Sequence, residues 1–380
     1  MVHAPMTPSP VGSQGREPLA IPSLDGLRAA SFFLVFLGHA GLPFIPVAIP
    51  AGFGVTVFFF LSGYLITTLL RLEVEQHRKI NFKHFYLRRL LRIWPPFYLV
   101  LAVACALALG GVLGGEFELP SVAAQALHYC NYWLIEHTAK GMPPGTVVYW
   151  SLAVEEHFYL VFPALYALLV RARLSGSQQR AVFFALCAAV LVWRLVLIHV
   201  LGASFERTYL ASDTRFDSML FGCSLAVAGN PALDLPRKDR PGFADVAFFV
   251  AGIAVLLASF MYRSEVFRET FRYTVQGLGL YPIFVTAVRF PKWGPNRLLN
   301  LRFMKYLGSI SYSLYLVHHM VLIVVERHSR RPEITGPLAL LLAIAISSAI
   351  WYLVERPFAT LRKRLTHVSA APARVAQASR

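Results

Sequence analysis

The chain has 380 residues, of which 56% are hydrophobic and only 15% are charged. Ordinary soluble domains carry roughly 25% charged residues, so this composition excludes a protein that functions mainly in water. The net charge of +16 would suggest a nucleic-acid ligand in a soluble protein. Here the cations cluster between apolar segments, which indicates membrane lipid as a partner, an anionic substrate and no nucleic acid.

The first 23 residues are polar and rich in proline, and they lack the charged and apolar segments of a signal peptide. We expect residues 1–23 to form a disordered cytoplasmic tail. Apolar segments then recur with no long polar stretch between them, which predicts one membrane domain over residues 24–357. The basic residues 358–380 are expected to form a second disordered cytoplasmic tail.

Ten apolar segments are candidate membrane spans, since a helix needs about 20 apolar residues to cross the hydrocarbon core. They lie at roughly 27–47, 52–70, 94–114, 148–170, 181–201, 213–229, 243–262, 272–288, 304–325 and 334–354. The predicted fold class is therefore all-α, a polytopic bundle of about ten transmembrane helices. A further stretch, 119–137, is interpreted as an interfacial or re-entrant helix.

The distribution of lysine and arginine predicts the orientation of this bundle. Of the 36 Lys and Arg residues, 26 fall in segments on the same side as the N-terminus, nine fall on the other side and Arg194 lies inside a span. Cytoplasmic loops of membrane proteins carry an excess of these residues. We therefore expect a multi-pass protein of the cell membrane, inner or plasma, with both termini in the cytoplasm.

The first span contains two ionisable side chains, Arg28 and His39, which are costly in a bilayer and are therefore functional candidates. At ~1.5 Å per residue, His39 lies about 16 Å along the helix from Arg28, near the middle of the bilayer. Histidine is the usual general base for activating a hydroxyl near neutral pH. The alternative is a structural histidine bonded to a neighbouring helix.

The fourth span contains two adjacent acids, Glu155 and Glu156, seven and eight residues beyond Val148. The two carboxylates cannot both face lipid, so one of them is expected to face a cavity at the level of His39. There it would orient the imidazole, as the acid of a His–acid dyad does. The alternative is a structural ion pair with an arginine of another span.

A basic cluster, Arg88, Arg89 and Arg92, precedes the third span. Arginine binds phosphate through two parallel hydrogen bonds, so a cluster at a helix end favours a phosphorylated ligand. The alternative is that these residues anchor the helix at the cytoplasmic membrane surface.

Five further residues are expected to line the substrate cavity. Arg215 and Asp217 stand near the start of a short span, where structural pairing with each other or with residues elsewhere is the alternative. Tyr312, Tyr315 and His318 lie in the ninth span, where tyrosine and histidine can form a polar path through apolar surroundings.

Other polar or small residues are assigned no chemistry. Ser62 and Gly63 lie inside an apolar segment, where small residues allow two helices to approach closely. The four cysteines have no metal-ligand spacing, so no metal site and no disulfide framework are predicted.

Six stretches of the sequence resemble the acyltransferase-3 family, the bacterial membrane O-acyltransferases that include O-antigen and exopolysaccharide acetylases and macrolide acyltransferases. They occur in the order of the family and cover nearly the whole chain: LDGLRAASFFLVFLGHA, FFFLSGYLITTLL, FYLRRLLRIWPPFY, WSLAVEEHFYLVFP, SYSLYLVHH and ERP. The resemblance implies transfer of an acyl group from cytoplasmic acyl-CoA to a hydroxyl. It implies that His39 is catalytic and that Arg89 and Arg92 hold the phosphates of acyl-CoA.

The hypothesis from sequence is therefore a membrane O-acyltransferase that moves an acyl group, with acetyl-CoA as the default donor, to a sugar hydroxyl of a surface glycan or glycosylated metabolite. Acyl-CoA would bind through Arg28, Arg88, Arg89 and Arg92, and His39 would act either as general base or as a transient acyl carrier. Because no esterase-like domain follows the last span, the chain is expected to act alone or with a separate extracytoplasmic acceptor protein. The alternative is a carrier or flippase without enzymatic activity.

Overall fold

The computed structural model describes residues 21–41, 51–329 and 331–366, and those residues form helices and connecting turns without a β-strand. In chain order the helices are α1 (Leu24–His39), α2 (Ala51–His77), α3 (Phe82–Leu109), α4 (Leu119–Ala126), α5 (Cys130–His137), α6 (Trp150–Arg171), α7 (Gly176–His199), α8 (Phe205–Leu210), α9 (Ser212–Val227), α10 (Phe243–Met261), α11 (Glu265–Glu269), α12 (Arg272–Arg289), α13 (Asn296–Leu299), α14 (Arg302–Ser309), α15 (Ser311–His328), α16 (Pro332–Ile350) and α17 (Arg356–Thr366).

Within these described ranges, six helical segments are long and apolar enough to cross a membrane, and a seventh is added if α14 and α15, which meet at a bend of 76°, form one span. The three other predicted spans are also helical, in α1, α9 and α12. However, α1 and α9 have only 16 residues each within the described chain. These lengths and compositions confirm a polytopic helical membrane protein.

The outer surface of the bundle is apolar, as hydrocarbon requires. Large hydrophobic side chains such as Phe243 (91% exposed), Met261 and Leu341 stand out from α10 and α16. In water such a surface would favour aggregation, whereas in lipid it is solvated. The exposed apolar side chains therefore identify the helices that face the membrane.

The centre of the bundle is α9, whose residues are buried on nearly every side. It packs between α2 and α7, while α1 lies against the other side of α2. Rings from neighbouring helices fill the space around it; Phe60 of α2 and Phe284 of α12 have centroids 4.3 Å apart. The polar residues of α9 are thus held in place between α2, α7 and α12.

Glycine makes the crossing of α2 and α9 close. A β-carbon at Gly63 would overlap the carbonyl oxygen of Met219, and one at Gly222 would overlap that of Phe60. Small residues at such crossings let two backbones approach within van der Waals distance in a membrane. The interpretation of Gly63 as a packing residue is confirmed, and Gly222 is its counterpart on α9.

The structure differs from the expected segment boundaries in three places. Ser23, placed in the N-terminal tail, is buried and donates from its hydroxyl to the carbonyl of Ala287 at 2.6 Å. Helix α17 continues to Thr366 and packs against α3, where a tail had been expected from residue 358. The stretch 119–137 forms two short helices, α4 and α5, rather than one. The rest of both tails, residues 1–20 and 367–380, lies outside the described residues.

We predict that Gly63→Ala and Gly222→Ala each destabilise the protein, because the added methyl group separates α2 from α9. A loss of about 1–3 kcal/mol is expected for overpacking of this kind. Thermal unfolding in detergent measures the effect. Gly110→Ala at the end of α3 is the matched control, since the nearest atom to its β-carbon would be 3.4 Å away. Equal melting temperatures for Gly63→Ala and Gly110→Ala would contradict the prediction.

Candidate active site

Helix α1 presents Arg28 and His39 at opposite ends of the bundle. Arg28, near the start of the helix, is paired with Asp25 at 2.9 Å. His39 is the last residue of α1 and is half-buried. The helix therefore separates a basic end from a histidine end, as the spacing of eleven residues predicts.

His39 is hydrogen-bonded to another histidine and not to a carboxylate. Its Nδ1 lies 3.2 Å from Nε2 of His318 on α15, and His318 is fully buried. Nδ1 of His318 lies 2.8 Å from the backbone carbonyl of Tyr315. His318 thus connects the ring of His39 to the backbone of α15 and fixes its orientation. His318 had been expected to line the substrate cavity, and its place beside His39 corrects that expectation.

These two contacts assign the protons on both rings. The carbonyl of Tyr315 can only accept, so Nδ1 of His318 carries a hydrogen. A fully buried imidazolium without a counter-ion would be costly, which favours the neutral ring and leaves Nε2 of His318 as an acceptor. His39 must then donate from Nδ1. The lone pair of His39 consequently lies on Nε2, where a general base or nucleophile needs it.

A third histidine borders the pair. The rings of His319 and His39 have centroids 5.0 Å apart at an angle of 32°. Nδ1 of His319 is buried and has no hydrogen-bond partner within the described residues. Three imidazole rings, those of His39, His318 and His319, therefore lie together at this end of the bundle.

A cavity of about 100 Å³ lies at the basic end, among α1, α2, α3, α6 and α15. Arg28, Arg89 and Arg92 line it together with Glu155 and Glu156. We call it the arginine cavity. Tyr312 and Tyr315 also line it. Tyr315 precedes His318 by three residues, about one turn of α15, so the cavity ends close below the histidines.

The arginines of α3 divide into two kinds. The guanidinium of Arg89 lies 4.6 Å from the ring centroid of Tyr159, and no ion pair of Arg89 or Arg92 occurs within the described chain. Arg88 instead donates to Glu73 of α2 at 2.7 Å and does not line the cavity. Arg88 was expected to bind acyl-CoA, but in the structure it forms a structural ion pair with Glu73.

The two adjacent acids face the arginine cavity and not the histidine. Glu155 accepts hydrogen bonds from Ser62 at 2.8 Å and Tyr159 at 3.1 Å. Oε1 of Glu156 is buried without a hydrogen-bond partner in the described part of the chain. The structure shows no hydrogen bond from either acid to His39, and the expected dyad is corrected to the pair His39–His318. The histidine lies at the far end of α1, beyond the level that these acids reach.

Sequence reasoning missed three residues of the cavity. Ser62 binds Glu155 instead of serving only for packing, and Ser151 lies 2.7 Å from the hydroxyl of Tyr315. Tyr159 follows Glu155 by four residues, so the two share a helix face. That spacing was the available signal for Tyr159, whereas nothing local distinguishes Ser62 from a packing serine.

Arg215 and Asp217 do not line the arginine cavity and are not paired with each other. Asp217 forms an ion pair of 2.7 Å with Arg194 of α7, and both side chains are fully buried. Arg215 donates to Thr56 and to the carbonyl of Tyr209, at 3.2 and 3.1 Å. Its guanidinium lies against four aromatic rings: Phe59, Trp150, Tyr209 and Tyr273. The structure therefore agrees with the alternative considered for Asp217, a structural ion pair, and the partner is Arg194.

No group of three or more His, Cys, Asp or Glu side chains able to hold a metal ion occurs in residues 21–41, 51–329 and 331–366.

A family model described as an acyltransferase domain matches residues 21–356, which is most of the chain. The chain belongs to the acyltransferase-3 family. Membership confirms the resemblance drawn from the six sequence stretches. It also establishes, at the level of the family, that this polytopic membrane protein is an acyltransferase.

The relatives of this chain include bacterial O-acetyltransferases. It is 27% identical over 325 residues to the peptidoglycan O-acetyltransferase OatA of Listeria monocytogenes, covering 80% of this chain and 49% of that protein. It is 29% identical to the putative peptidoglycan O-acetyltransferase YrhL of Bacillus subtilis, covering 90% and 55%. The O-acetyltransferase OatA of Staphylococcus aureus is 26% identical, with coverage of 90% and 57%.

The acyltransferase thus spans about half the length of the curated relatives it matches. No solved structure gives a significant match to it. The geometry described above is accordingly the basis for assigning roles to its residues.

We predict that Asp217→Asn destabilises this acyltransferase strongly, because Arg194 would keep a buried charge without its counter-ion. Breaking a buried pair in this way costs roughly 3–5 kcal/mol. Asp213→Asn is the matched control, since Asp213 is 38% exposed in its pair with Arg207 and should cost only about 1 kcal/mol. Thermal unfolding in detergent compares the two variants, and similar melting temperatures would refute the difference.

Proposed function

We propose that this protein transfers an acetyl group from acetyl-CoA to a hydroxyl of a cell-envelope sugar, with His39 as the general base. The observation that carries the proposal is the bond between His39 and His318, which leaves the Nε2 lone pair of His39 available. Acceptor hydroxyls need such a base because their own protons leave too reluctantly near neutral pH.

The donor is assigned from the arginine cavity. Coenzyme A carries several phosphates, and arginine is the side chain best suited to hold them through paired hydrogen bonds. Arg28, Arg89 and Arg92 border one cavity, and Arg92 is exposed at its edge. The phosphates would bind there, while the thioester arm extends along α1 towards His39.

The cavity of about 100 Å³ is small beside ordinary ligand sites, which measure roughly 300–1,000 Å³. Entry of the thioester arm therefore requires side chains to move. The ring of Phe58 lies 6.0 Å from that of Tyr315 at the end of the cavity nearest the histidines, and these rings would have to separate. Donor binding and access to His39 are thereby coupled.

Acetyl transfer involves two proton movements at His39. His39 Nε2 takes the proton of the acceptor hydroxyl as its oxygen attacks the thioester carbonyl carbon. The carbon–sulfur bond breaks, and the leaving thiolate takes that proton from His39 to give free coenzyme A. His318 keeps the ring of His39 in place through both proton movements. If His39 itself carried the acetyl group, the same Nε2 would attack the thioester carbon and expel the thiolate. The acceptor hydroxyl would then displace the imidazole from the acetyl group, and the hydroxyl proton would pass to the thiolate to give free coenzyme A.

The acceptor is inferred from the relatives, which include a peptidoglycan O-acetyltransferase and a putative one. A sugar hydroxyl of a surface glycan is therefore proposed as acceptor, and a hydroxyl of a separate extracytoplasmic protein would be acetylated by the same chemistry. The excess of lysine and arginine on the N-terminal side supports an arginine cavity that opens to the cytoplasm, where acetyl-CoA is found.

We predict that His39→Ala abolishes thiol release from acetyl-CoA, because general-base catalysis contributes roughly 10²–10⁴-fold. His318→Gln should lower kcat by about tenfold or more through misplacement of His39, with KM for acetyl-CoA unchanged. His199→Gln, at the exposed end of α7, is the control. Purified protein in nanodiscs is assayed with a panel of sugars. Full turnover by His39→Ala would exclude the mechanism, and transport of a sugar without any thiol release would favour a carrier.

Arg89→Gln is expected to raise KM for acetyl-CoA by roughly tenfold, because a hydrogen bond to a charged group contributes about 1.5–3 kcal/mol. Arg88→Gln, one residue away, should leave KM unchanged and lower the melting temperature, since Glu73 loses its partner. The two KM values are measured at fixed ionic strength. A larger rise for Arg88→Gln than for Arg89→Gln would show that the wrong arginine has been assigned to the phosphates.

A further inference from the structure

A second cavity, of about 280 Å³, lies at the end of the bundle opposite the arginine cavity. Its position follows from the topology: α2 runs antiparallel to α1, so Gly52 near the start of α2 is level with the last turns of α1, which end at His39. The cavity is bordered by the start of α2, by α8 and by the corner between α11 and α12. We call it the far-end cavity.

Two arginines give the far-end cavity a positive charge. Arg272 is only 6% exposed, and its Nε has no hydrogen-bond partner within the described residues. One of its terminal nitrogens donates to the hydroxyl of Tyr273 at 2.8 Å. Arg268 is exposed at the edge of the cavity. In the parts of the chain that the structure describes, neither arginine forms an ion pair, and Glu269, next to Arg268 in sequence, acts on both arginines only through a longer-range electrostatic interaction.

A buried guanidinium without a carboxylate is unfavourable unless an anion or water reaches it. Two buried or half-buried arginines with a structural role have a carboxylate partner: Arg88 is paired with Glu73 and Arg194 with Asp217. Arg272 departs from that pattern and borders an open cavity. Its free Nε and the nearby Arg268 together suit a carboxylate or a phosphate group.

The opposite wall of the far-end cavity is aromatic. The rings of Phe205 and Tyr209 on α8 are stacked, with centroids 5.4 Å apart at an angle of 13°. Gly52 lets this wall approach α2, since a β-carbon there would lie 2.8 Å from the hydroxyl of Tyr209. A flat aromatic face is a surface for the apolar face of a sugar ring, and Gln276 adds a polar side chain to the lining.

The far-end cavity is also close to the proposed active site. Tyr209 and Tyr273 line it, and both rings contact the buried guanidinium of Arg215. Arg215 in turn lies against Phe59, which lines the arginine cavity. Arg215 thus contacts side chains that line both cavities.

We propose that the far-end cavity is the acceptor site and that it selects a sugar carrying an acidic group, a carboxylate or a phosphate. This inference rests on the proposed function and names the class of its acceptor. Arg268 and Arg272 hold the acidic group, and the ring rests on Phe205 and Tyr209. A hydroxyl of the same sugar is then presented towards the histidine end of α1.

The test is equilibrium binding of three radiolabelled probes to the full chain in nanodiscs: methyl glucoside, methyl glucuronide and glucose 6-phosphate. They share one ring and differ in charge. Excess coenzyme A is present so that the arginine cavity is occupied. We expect at least one acidic probe to bind about tenfold or more tightly than methyl glucoside, and the better acidic probe identifies the group as carboxylate or phosphate.

Arg272→Gln and Arg268→Gln should each remove that preference, and Arg272→Lys should retain part of it. Arg263→Gln, in the exposed turn before α11, is the control that keeps it. The proposal is overturned if the wild type binds the three probes equally. It is also overturned if the preference for an acidic probe survives in both Arg268→Gln and Arg272→Gln.

Thiol release from acetyl-CoA is measured on the same preparations, so the two proposals can fail separately. Thiol release without any preference for acidic probes refutes the acceptor site alone. A preference lost in Arg272→Gln, without thiol release from any protein, refutes the acetyltransferase alone. Melting temperatures show whether each variant is folded, and Arg268→Gln tests the site even if substitution of the buried Arg272 does not fold.

Discussion

The crossing of α2 and α9 at Gly63 and Gly222 is the contact on which the rest of the structure depends. Because the two backbones meet there, α2 can present Ser62 to the arginine cavity and Gly52 to the far-end cavity. Helix α9 is fixed by the same crossing, which places Arg215 between the two cavities. In lipid the bundle has no hydrophobic drive to exclude its solvent, so close packing must hold these helices together.

Apolar surroundings also explain how this protein uses its buried cations. Removing charge from water is costly, and an arginine that serves only structure needs a carboxylate, as Arg194 has in Asp217. Arg89 and Arg215 lie against aromatic rings instead, where the face of the ring offers weaker compensation. Arg89 also lines the arginine cavity and so keeps its capacity to bind an anion, whereas Arg215 is fully buried. The arrangement therefore separates arginines that hold the bundle together from arginines that can meet a ligand.

The sequence predicted the helices well because their signal is local: long apolar segments bounded by charge. It also identified the ionisable residues of the site, His39, Arg89 and Glu155 among them, since any such residue in an apolar segment is conspicuous. It could not predict their partners. The pairing of Asp217 with Arg194, and of His39 with His318, depends on how helices distant in sequence face each other, and hydropathy contains no information on that.

The choice of a second histidine beside His39 has a physical rationale in this environment. A carboxylate partner would stabilise a protonated His39 and hold a fixed charge in a region of low dielectric, where each unpaired charge is expensive. A neutral His318, anchored to the carbonyl of Tyr315, orients the ring and selects its tautomer without that charge. His39 then stays neutral until a hydroxyl proton reaches it. A base that is neutral before the reaction and neutral again after it suits acyl transfer inside a membrane.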